Sequence, residues 1–267
     1  LAGNTTGTHN TAVGASGTLR VSTTASYNVF MGFNCGYAVT TGGFNTAYGS
    51  NTMSGCTTGD SNMAFGYGAG SALTTGSTNC FFGYNAGSVV TTGGSNIFLG
   101  NTVAASATDS THQIVIGNSF TSAGDNTVSI GKGSNYIHNT YTTNATWTRV
   151  SDERIKRNIQ DDTLGLNFIN ALKTKTFQWK PSNEVPQELT RCYNEENQMD
   201  TDVVMHGLIA QEVKEALDAE GIDTFGGWSE LDDGSQQMSR EMFVIPLIKA
   251  VQQLSAEVES LKAQLEE

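Results

Sequence analysis

Asn45-Thr-Ala-Tyr-Gly49 and Asn62-Met-Ala-Phe-Gly66 share one pattern, an asparagine and a glycine that enclose three residues, and they begin 17 residues apart. The pattern continues at this step at Asn28-Val-Phe-Met-Gly32, Asn79-Cys-Phe-Phe-Gly83, Asn96-Ile-Phe-Leu-Gly100 and, with glutamine in place of asparagine, Gln113-Ile-Val-Ile-Gly117. Asn10-Thr-Ala-Val-Gly14 precedes them with one residue inserted. A Thr-Thr pair keeps the same period, starting at positions 23, 40, 57, 74 and 91. Two markers with one period establish a repeat.

This repeat predicts a β-solenoid. A unit of 17 residues is too short for a helical hairpin, whereas it suits one coil of short strands joined by glycine and asparagine turns. Successive coils would stack about 4.8 Å apart and align equivalent residues in columns. Because each coil contacts only its neighbours, we expect residues 1–133 to form an elongated, repetitive β fibre domain. Residues 134–150 alternate in a β-like manner and predict a β junction after it.

The two halves of the chain differ in charge. Residues 1–149 hold 24 of the 30 glycines and only six charged residues, which sum to zero, so the net charge of −12 lies entirely in the second half. An acidic balance argues against nucleic acid or an anionic membrane as a partner. No apolar run approaches the roughly 20 residues that cross a bilayer, so we expect no membrane insertion. The sequence begins with Leu1 inside repeating sequence, and we therefore expect a fragment of a longer protein.

The repeat half contains long stretches without a charged residue, which is informative about its surface. Arg20, Asp60 and Asp109 are successive charged residues, and such long intervals are unusual for the surface of a monomer. Burial against identical neighbours would account for them.

The second half predicts a small α+β domain. Leucine and isoleucine at helical spacing predict a helix over residues 164–172, and an amphipathic strand follows at residues 176–179. Residues 206–217 predict a buried strand that turns into a helix. The polar segments 181–202 and 218–240 predict loops.

A heptad seam ends the chain. Six apolar residues follow alternating steps of four and three, namely Leu247, Val251, Leu254, Val258, Leu261 and Leu265. This spacing predicts a parallel coiled coil over about residues 244–267. Valine and leucine in these positions favour, by themselves, two strands rather than the three that the resemblance below implies.

The columns of the repeat predict the environment of the three cysteines in the first half. Cys35, Cys56 and Cys80 occupy columns that hold small or apolar residues in other coils, so we expect core residues rather than disulfides or metal ligands. Cys192 stands alone, and no residues have metal-ligand spacing. We therefore expect neither a cofactor nor a metal.

Two polar or aromatic columns are candidates for sugar contact. The repeated asparagines could bind hydroxyl groups, but a stacked amide ladder explains their recurrence without a ligand, and we favour the ladder. The aromatic column of Phe33, Tyr67 and Tyr84 is the better candidate if it faces outward. Packing in the core is its alternative.

Three ordered motifs carry a family resemblance: Ser151-Asp-Glu-Arg-Ile-Lys-Arg-Asn-Ile159, Gly207-Leu-Ile-Ala-Gln-Glu-Val213 and Leu247-Ile-Lys-Ala-Val-Gln-Gln-Leu254. They resemble the intramolecular chaperone and self-cleaving domain that ends many bacteriophage tail fibres, endosialidase tailspikes and neck appendages. The resemblance covers residues 151–267. The repeat half is similar in style to trimeric viral fibres and to the heads of autotransporter adhesins.

The resemblance implies how the chain is assembled and processed. Residues 151–267 would form a chaperone and autoprotease domain that trimerises, templates the β-fibre before it and is then cut off. The protein would be a homotrimeric tail fibre of the virion, assembled in the host cytoplasm, with the chaperone domain released or loosely retained. The repeat half would bind a glycan or protein receptor on the host surface.

The resemblance also assigns the residues of a single-turnover serine peptidase. Ser151 is the nucleophile, Lys156 is the base, and the cut falls at Ser151–Asp152 within one bond. A serine hydroxyl is a weak nucleophile until a base takes its proton, and a lysine serves as base only when burial lowers its pKa. Because positions five apart lie slightly off one helical face, we expect the pair to meet on an irregular turn or across protomers.

Two site residues have structural alternatives. Ser151 precedes acidic residues and could simply cap a helix. His206 stands beside Gly207 and is a candidate for orienting the cut site, although a lone histidine next to an apolar strand is more often structural. The other two motifs favour autoproteolysis over the cap.

Two further function classes compete with a tail fibre. A tailspike enzyme that degrades polysaccharide needs paired carboxylates, but Asp60, Asp109 and Asp125 fall in different coils and in no common column. A bacterial trimeric surface adhesin would need a membrane anchor; we expect none within this sequence, although a fragment could have one upstream.

Overall fold

The computed structural model describes residues 3–143 and 146–266. Leu1, on which the expectation of a fragment rests, Asn144 and Ala145 of the junction, and Glu267 of the coiled coil lie outside the described residues. The chain divides into two compact units, Leu1–Lys156 and Arg157–Glu267.

The first unit is a β-solenoid, as the repeat predicts. Each coil contributes one short strand, and strands β1 to β8 pair in parallel in chain order, each residue of the pattern facing its equivalent in the next coil. Strand β9 turns back and pairs antiparallel with β8. The strands are β1 (Thr11–Val13), β2 (Val29–Met31), β3 (Thr46–Tyr48), β4 (Met63–Phe65), β5 (Cys80–Phe82), β6 (Ile97–Asn101), β7 (Ile114–Asn118), β8 (Thr127–Lys132) and β9 (Asn135–Thr140).

The glycine that closes each pattern is required by the close approach of the coils. Gly66 has a φ of +128°, a conformation that side chains rarely adopt, and a Cβ atom there would lie 2.4 Å from the carbonyl oxygen of Gly83. The same approach recurs between Gly49 and Gly66, at 2.5 Å. No other residue fits this column without moving the backbone of the next coil.

Side chains of different sizes fill the solenoid interior from coil to coil. The middle residue of each three-residue strand points inward, and it is phenylalanine in some coils and alanine in others. Where the strand supplies Phe81, Gly70 and Gly87 lie against the ring, and a Cβ on either would approach it within 2.6 Å. Where the strand supplies Ala47, Met53 of the same coil is fully buried at the position that those glycines occupy elsewhere. In this coil, Met53 supplies bulk that the alanine lacks.

A ladder of buried amides runs through the same interior. The side chain of Asn62 donates to Asn45 Oδ1 at 3.1 Å and to the carbonyl of Gly76 at 3.0 Å. Its own Oδ1 accepts from the backbone N–H of Asn79 at 2.9 Å and from the Asn79 amide at 3.0 Å. Because these amides are buried, the asparagines link coils and are inaccessible to a sugar.

The cysteines follow the expectation at two positions of three. Cys35 and Cys56 are fully buried, and burial raises the pKa of their thiols to about 12 and about 11. Cys80 is only half-buried, so its assignment to the core was wrong. Side chains alternate along a strand, and because Phe81 points inward, Cys80 lies on the outer face. All four cysteines are free thiols.

The second unit combines three helices with two small hairpin-like sheets. Strand β10 pairs antiparallel with β11, and β12 pairs antiparallel with β13. Phe168 packs against Phe225 and Phe243, with ring centroids 6.0 and 6.1 Å apart. The elements are α1 (Leu166–Ala171), β10 (Lys175–Phe177), β11 (Met205–Gly207), α2 (Ala210–Ala219), β12 (Trp228–Glu230), β13 (Gln236–Met238) and α3 (Val244–Glu266).

One loop prediction fails in this unit. Residues 218–240 contain the β12–β13 hairpin, in which Trp228 faces Met238. Strands of three residues with polar neighbours carry too little alternation to be recognised from sequence. The predicted C-terminal helix is present as α3, and its seam residues are exposed in the single chain. No helix among residues 3–143 and 146–266 has both the length and the apolar character to span a membrane.

The amide ladder leads to a first prediction. Asn62→Ala should lower the free energy of unfolding by about 2–4 kcal/mol, because it leaves the N–H of Asn79 and the carbonyl of Gly76 buried without their partner. Asn118→Ala, which truncates an exposed asparagine, is the matched control and should change stability by less than about 0.5 kcal/mol. Denaturant unfolding followed by circular dichroism compares the two. Equal losses would show that the ladder does not stabilise the stack.

Candidate active site

The residues from 151 to 156 form a tight local turn. Glu153–Ile155 is a single turn of 3-10 helix, and the chain returns to extended backbone at Lys156. The turn folds the segment back on itself, so that Lys156 Nζ donates a hydrogen bond to Ser151 Oγ at 2.7 Å. The two residues that the resemblance assigns as nucleophile and base are therefore in contact within one chain, on an irregular turn.

Asp152 holds this turn closed. Its Oδ1 accepts hydrogen bonds from the backbone N–H and the Nε of Arg154, both at 2.9 Å, and its Oδ2 accepts from Nη2 at 2.7 Å. The helix cap is therefore Asp152, and the hydroxyl of Ser151 is left to Lys156. The Asp-x-Arg spacing is the signal that could have identified this clamp.

The clamp also fixes the charge of Asp152. Hydrogen bonds from the Arg154 side chain and backbone, together with the positive charge of Lys156, lower the pKa of the Asp152 carboxyl to about 2. Asp152 is thus an anion at neutral pH. It neutralises Arg154 and leaves the amine of Lys156 as the group that faces the serine.

Solvent reaches the serine and the lysine in the single chain. Both Ser151 and Lys156 are exposed. In the observed hydrogen bond the amine is the donor, whereas a general base must accept the hydroxyl proton. The local turn therefore supplies the proximity that the reaction needs, and shielding from water must come from outside this segment.

His206 belongs to the second unit. It lies on β11, opposite Thr176 of β10, and it lines a cavity of about 730 Å³ together with apolar residues that include Phe243 and Leu247. Its role as an orienting residue stays a prediction. Nearby in sequence, Glu212 of α2 pairs with Lys175 at 3.0 Å, a contact that the sequence did not indicate.

No metal site accompanies these residues. Within the described ranges, residues 3–143 and 146–266, no three histidine, cysteine, aspartate or glutamate side chains are grouped so that they could hold an ion. The carboxylates of the solenoid bind its own backbone instead. Asp60 Oδ1 accepts from the N–H of Gly43 at 2.6 Å, and Asp125 Oδ1 accepts from the N–H of Thr111 at 2.9 Å.

Comparison with known proteins gives one match. Residues 151–222 match the family described as the chaperone of endosialidase. This region is therefore similar to a chaperone domain. The family is a self-cleaving one, and the match begins at Ser151, the residue that the turn places against Lys156. No curated protein and no solved structure matches the chain.

The clamp leads to a second prediction. Because the pKa of Asp152 is lowered to about 2, the interaction with Arg154 is present above that pH and is lost as the pH falls through it. In Arg154→Gln the pKa of the carboxyl should rise toward its ordinary value of 3.8, because the side-chain hydrogen bonds are lost while the backbone N–H of residue 154 still donates. Carboxyl ¹³C shifts of aspartate-labelled protein measure both values. Arg157→Gln is the control and should leave the titration unchanged, and a midpoint near 3.8 in the parent protein would exclude the clamp in solution.

Proposed function

We propose that the chain is part of a homotrimeric bacteriophage tail fibre whose C-terminal domain guides assembly and then cuts itself off at Ser151–Asp152. The observation that carries the proposal is the coincidence of two findings. The chaperone match starts at Ser151, and the hydroxyl of that serine accepts a hydrogen bond from Lys156. The solenoid before it has the repetitive architecture of a fibre.

The proposed reaction is a single acyl transfer followed by hydrolysis. The uncharged amine of Lys156 takes the hydroxyl proton of Ser151, and the oxygen attacks a peptide carbonyl carbon. The C–N bond breaks, the proton passes from the lysine to the departing amine, and an ester remains. Water then splits the ester into a carboxylate and the free serine hydroxyl.

The choice of carbonyl decides which bond is cut. Attack of Ser151 on its own carbonyl would need a strained four-membered ring. A cut at Ser151–Asp152 therefore calls for attack by the serine of a neighbouring protomer. Attack on the carbonyl of Val150 in the same chain passes through a five-membered ring and cuts one bond earlier.

Assembly supplies what the single chain lacks. An exposed lysine amine is protonated in neutral water and cannot act as a base. Ser151 and Lys156 are both exposed in the single chain, so packing of three copies around the turn would exclude water and favour the uncharged amine. Cleavage would then follow folding. The finished fibre would be kinetically stable, because its chains could no longer exchange through the C-terminal domain that had brought them together.

Two apolar surfaces suit contact between copies. The first is the outer face of the solenoid sheet, where the residues that flank the inward side chains are exposed or half-buried; its exposed apolar members are Val13, Val29, Tyr48, Met63, Phe82, Ile97, Leu99, Ile116 and Ile130. Contiguous apolar patches of this kind mark interaction sites. The second is the heptad seam of α3, from Leu247, which is 46% exposed, to Leu265, which is 86% exposed. Both surfaces repeat along the chain direction, as a parallel assembly requires.

Polysaccharide cleavage is less well supported. Asp60 and Asp125 are used in hydrogen bonds to the solenoid backbone, in different coils. A glycosidase needs two carboxyl groups across one bond, at a separation of about 5–10 Å.

The cut is the third prediction. The assembled wild-type protein should release a piece that spans residues 152–267, whereas Ser151→Ala should stay full length and still trimerise. Lys156→Arg keeps a positive charge and hydrogen-bond donors but cannot act as a base, so it should also stay full length. Denaturing electrophoresis and N-terminal sequencing of the small band provide the measurement. A first residue of Ser151 would indicate attack on the Val150 carbonyl.

Two results would contradict this chemistry. Normal cleavage of Ser151→Ala would remove the serine from the reaction. Normal cleavage of Lys156→Arg would show that the lysine serves only as a hydrogen-bond donor.

The sheet face gives the fourth prediction, tested in the uncut Ser151→Ala background. The parent should have a mass near three times 28.3 kDa in native mass spectrometry. Phe82→Lys places a charge on the apolar face and should shift the distribution toward monomer by at least tenfold. Thr75→Lys places the same charge on an exposed turn residue and should leave the trimer intact. A monomeric or stably dimeric parent would refute the trimer.

A further inference from the structure

One exposed column of the solenoid has a gap in it. Phe33, Ser50, Tyr67 and Tyr84 are the residues that follow the turn glycine in four successive coils. Hydrogen bonds keep this part of the coils in register, because the N–H of the next residue donates to the carbonyl one coil back: Asn51 to Phe33 at 2.8 Å, Gly68 to Ser50 at 3.0 Å and Asn85 to Tyr67 at 2.8 Å. The four side chains therefore form one column, and its three rings are each about half exposed.

The gap has the width of one inserted ring. Tyr67 and Tyr84 stack with centroids 5.4 Å apart and planes 13° apart, so neighbouring rings in this column stack face to face from one coil to the next. Ser50 has no ring, and two coil spacings, about 10 Å, separate Phe33 from Tyr67. Stacked rings prefer centroid distances of 4.5–7 Å. A ring placed midway, about 5 Å from each neighbour, would contact both. We call this gap the Phe33–Tyr67 slot.

The border of the slot is polar and uncharged. Asn34 and Asn51, which flank it, are half-buried, and the Asn34 amide donates to Asn51 Oδ1 at a long 3.4 Å. Ser50, which is half-buried, lies between the two rings in the column. Between Arg20 and Asp60 there is no charged residue, and Asp60 Oδ1 is already bound to the Gly43 N–H. The slot thus offers two apolar ring faces, amides and a hydroxyl, but no charge.

We infer that the Phe33–Tyr67 slot binds a hexopyranose unit of a neutral glycan. A pyranose ring has C–H faces that pack on aromatic rings, and its edge carries hydroxyls that need amide and hydroxyl partners. An acidic sugar would require a cation that the slot lacks. This inference rests on the proposed function and names the chemistry of the receptor.

The trimer would raise a weak interaction to a useful one. A single exposed slot of this size holds one sugar ring and binds weakly. Three slots on one fibre convert the second and third contacts with a polymeric glycan into intramolecular events, which raises avidity by orders of magnitude.

Affinity electrophoresis of the intact, uncut Ser151→Ala protein tests the slot. Gels contain dextran, mannan or galactan as neutral probes, or polysialic acid as the anionic comparison. At least one neutral polysaccharide should retard the protein. Ser50→Tyr fills the slot with a ring that continues the stack, and Phe33→Ala removes one wall; each should weaken the retardation by at least tenfold.

The matched control adds a tyrosine elsewhere. Ser61→Tyr extends a second exposed column, in which Tyr27 and Phe44 already stack at 4.9 Å, and it leaves the slot open, so retardation should be unchanged. The inference is overturned if no neutral polysaccharide retards the trimer, if polysialic acid alone does so, or if Ser50→Tyr binds like its parent. Native mass and cleavage of the matching Ser151 proteins are measured alongside, so that loss of assembly is distinguished from loss of the slot.

Discussion

The close stacking of successive coils is the constraint on which the solenoid depends. The backbones approach so closely at the pattern glycine that only hydrogen lies between Gly66 and the carbonyl of Gly83. This approach aligns the buried amides, so that each asparagine bridges two coils. A coil with alanine at its centre buries little apolar surface of its own and depends on these polar links. Register, turn conformation and interior volume all follow from the same spacing.

That spacing also explains why the two halves of the chain belong together. A solenoid that satisfies its backbone from coil to coil leaves an apolar outer face and almost no charge to keep it in solution. Copies that meet out of register would bury the same residues almost as well, because each coil resembles the next. In the proposed trimer, the second unit, which carries the acidic charge and a long terminal helix, would hold the three chains in register before the faces meet.

Periodicity made most of the fold predictable from sequence. A 17-residue step places strands β2 to β7, and the Ser151–Lys156 spacing already suggested an irregular turn. The predictions that failed concern features that the repeat period does not specify. Cys80 was assigned to the core because its column holds apolar residues in other coils. Only the alternation of side chains along the strand, set by the inward Phe81, shows that Cys80 faces outward. The β12–β13 hairpin is too short and polar to leave a pattern. The Asp152 clamp was missed although its Asp-x-Arg spacing was visible, because side-chain geometry decides whether two such residues pair.

The turn that joins Ser151 to Lys156 is built entirely from neighbours in sequence. Its hydrogen bonds span two to five residues, from the Asp152 cap to the lysine amine. Such a turn forms in nanoseconds to microseconds, long before three chains can find one another. Each newly synthesised polypeptide therefore brings Ser151 and Lys156 into contact by itself. In the proposed reaction, the timing of the cut would depend on when assembly excludes water from this short turn.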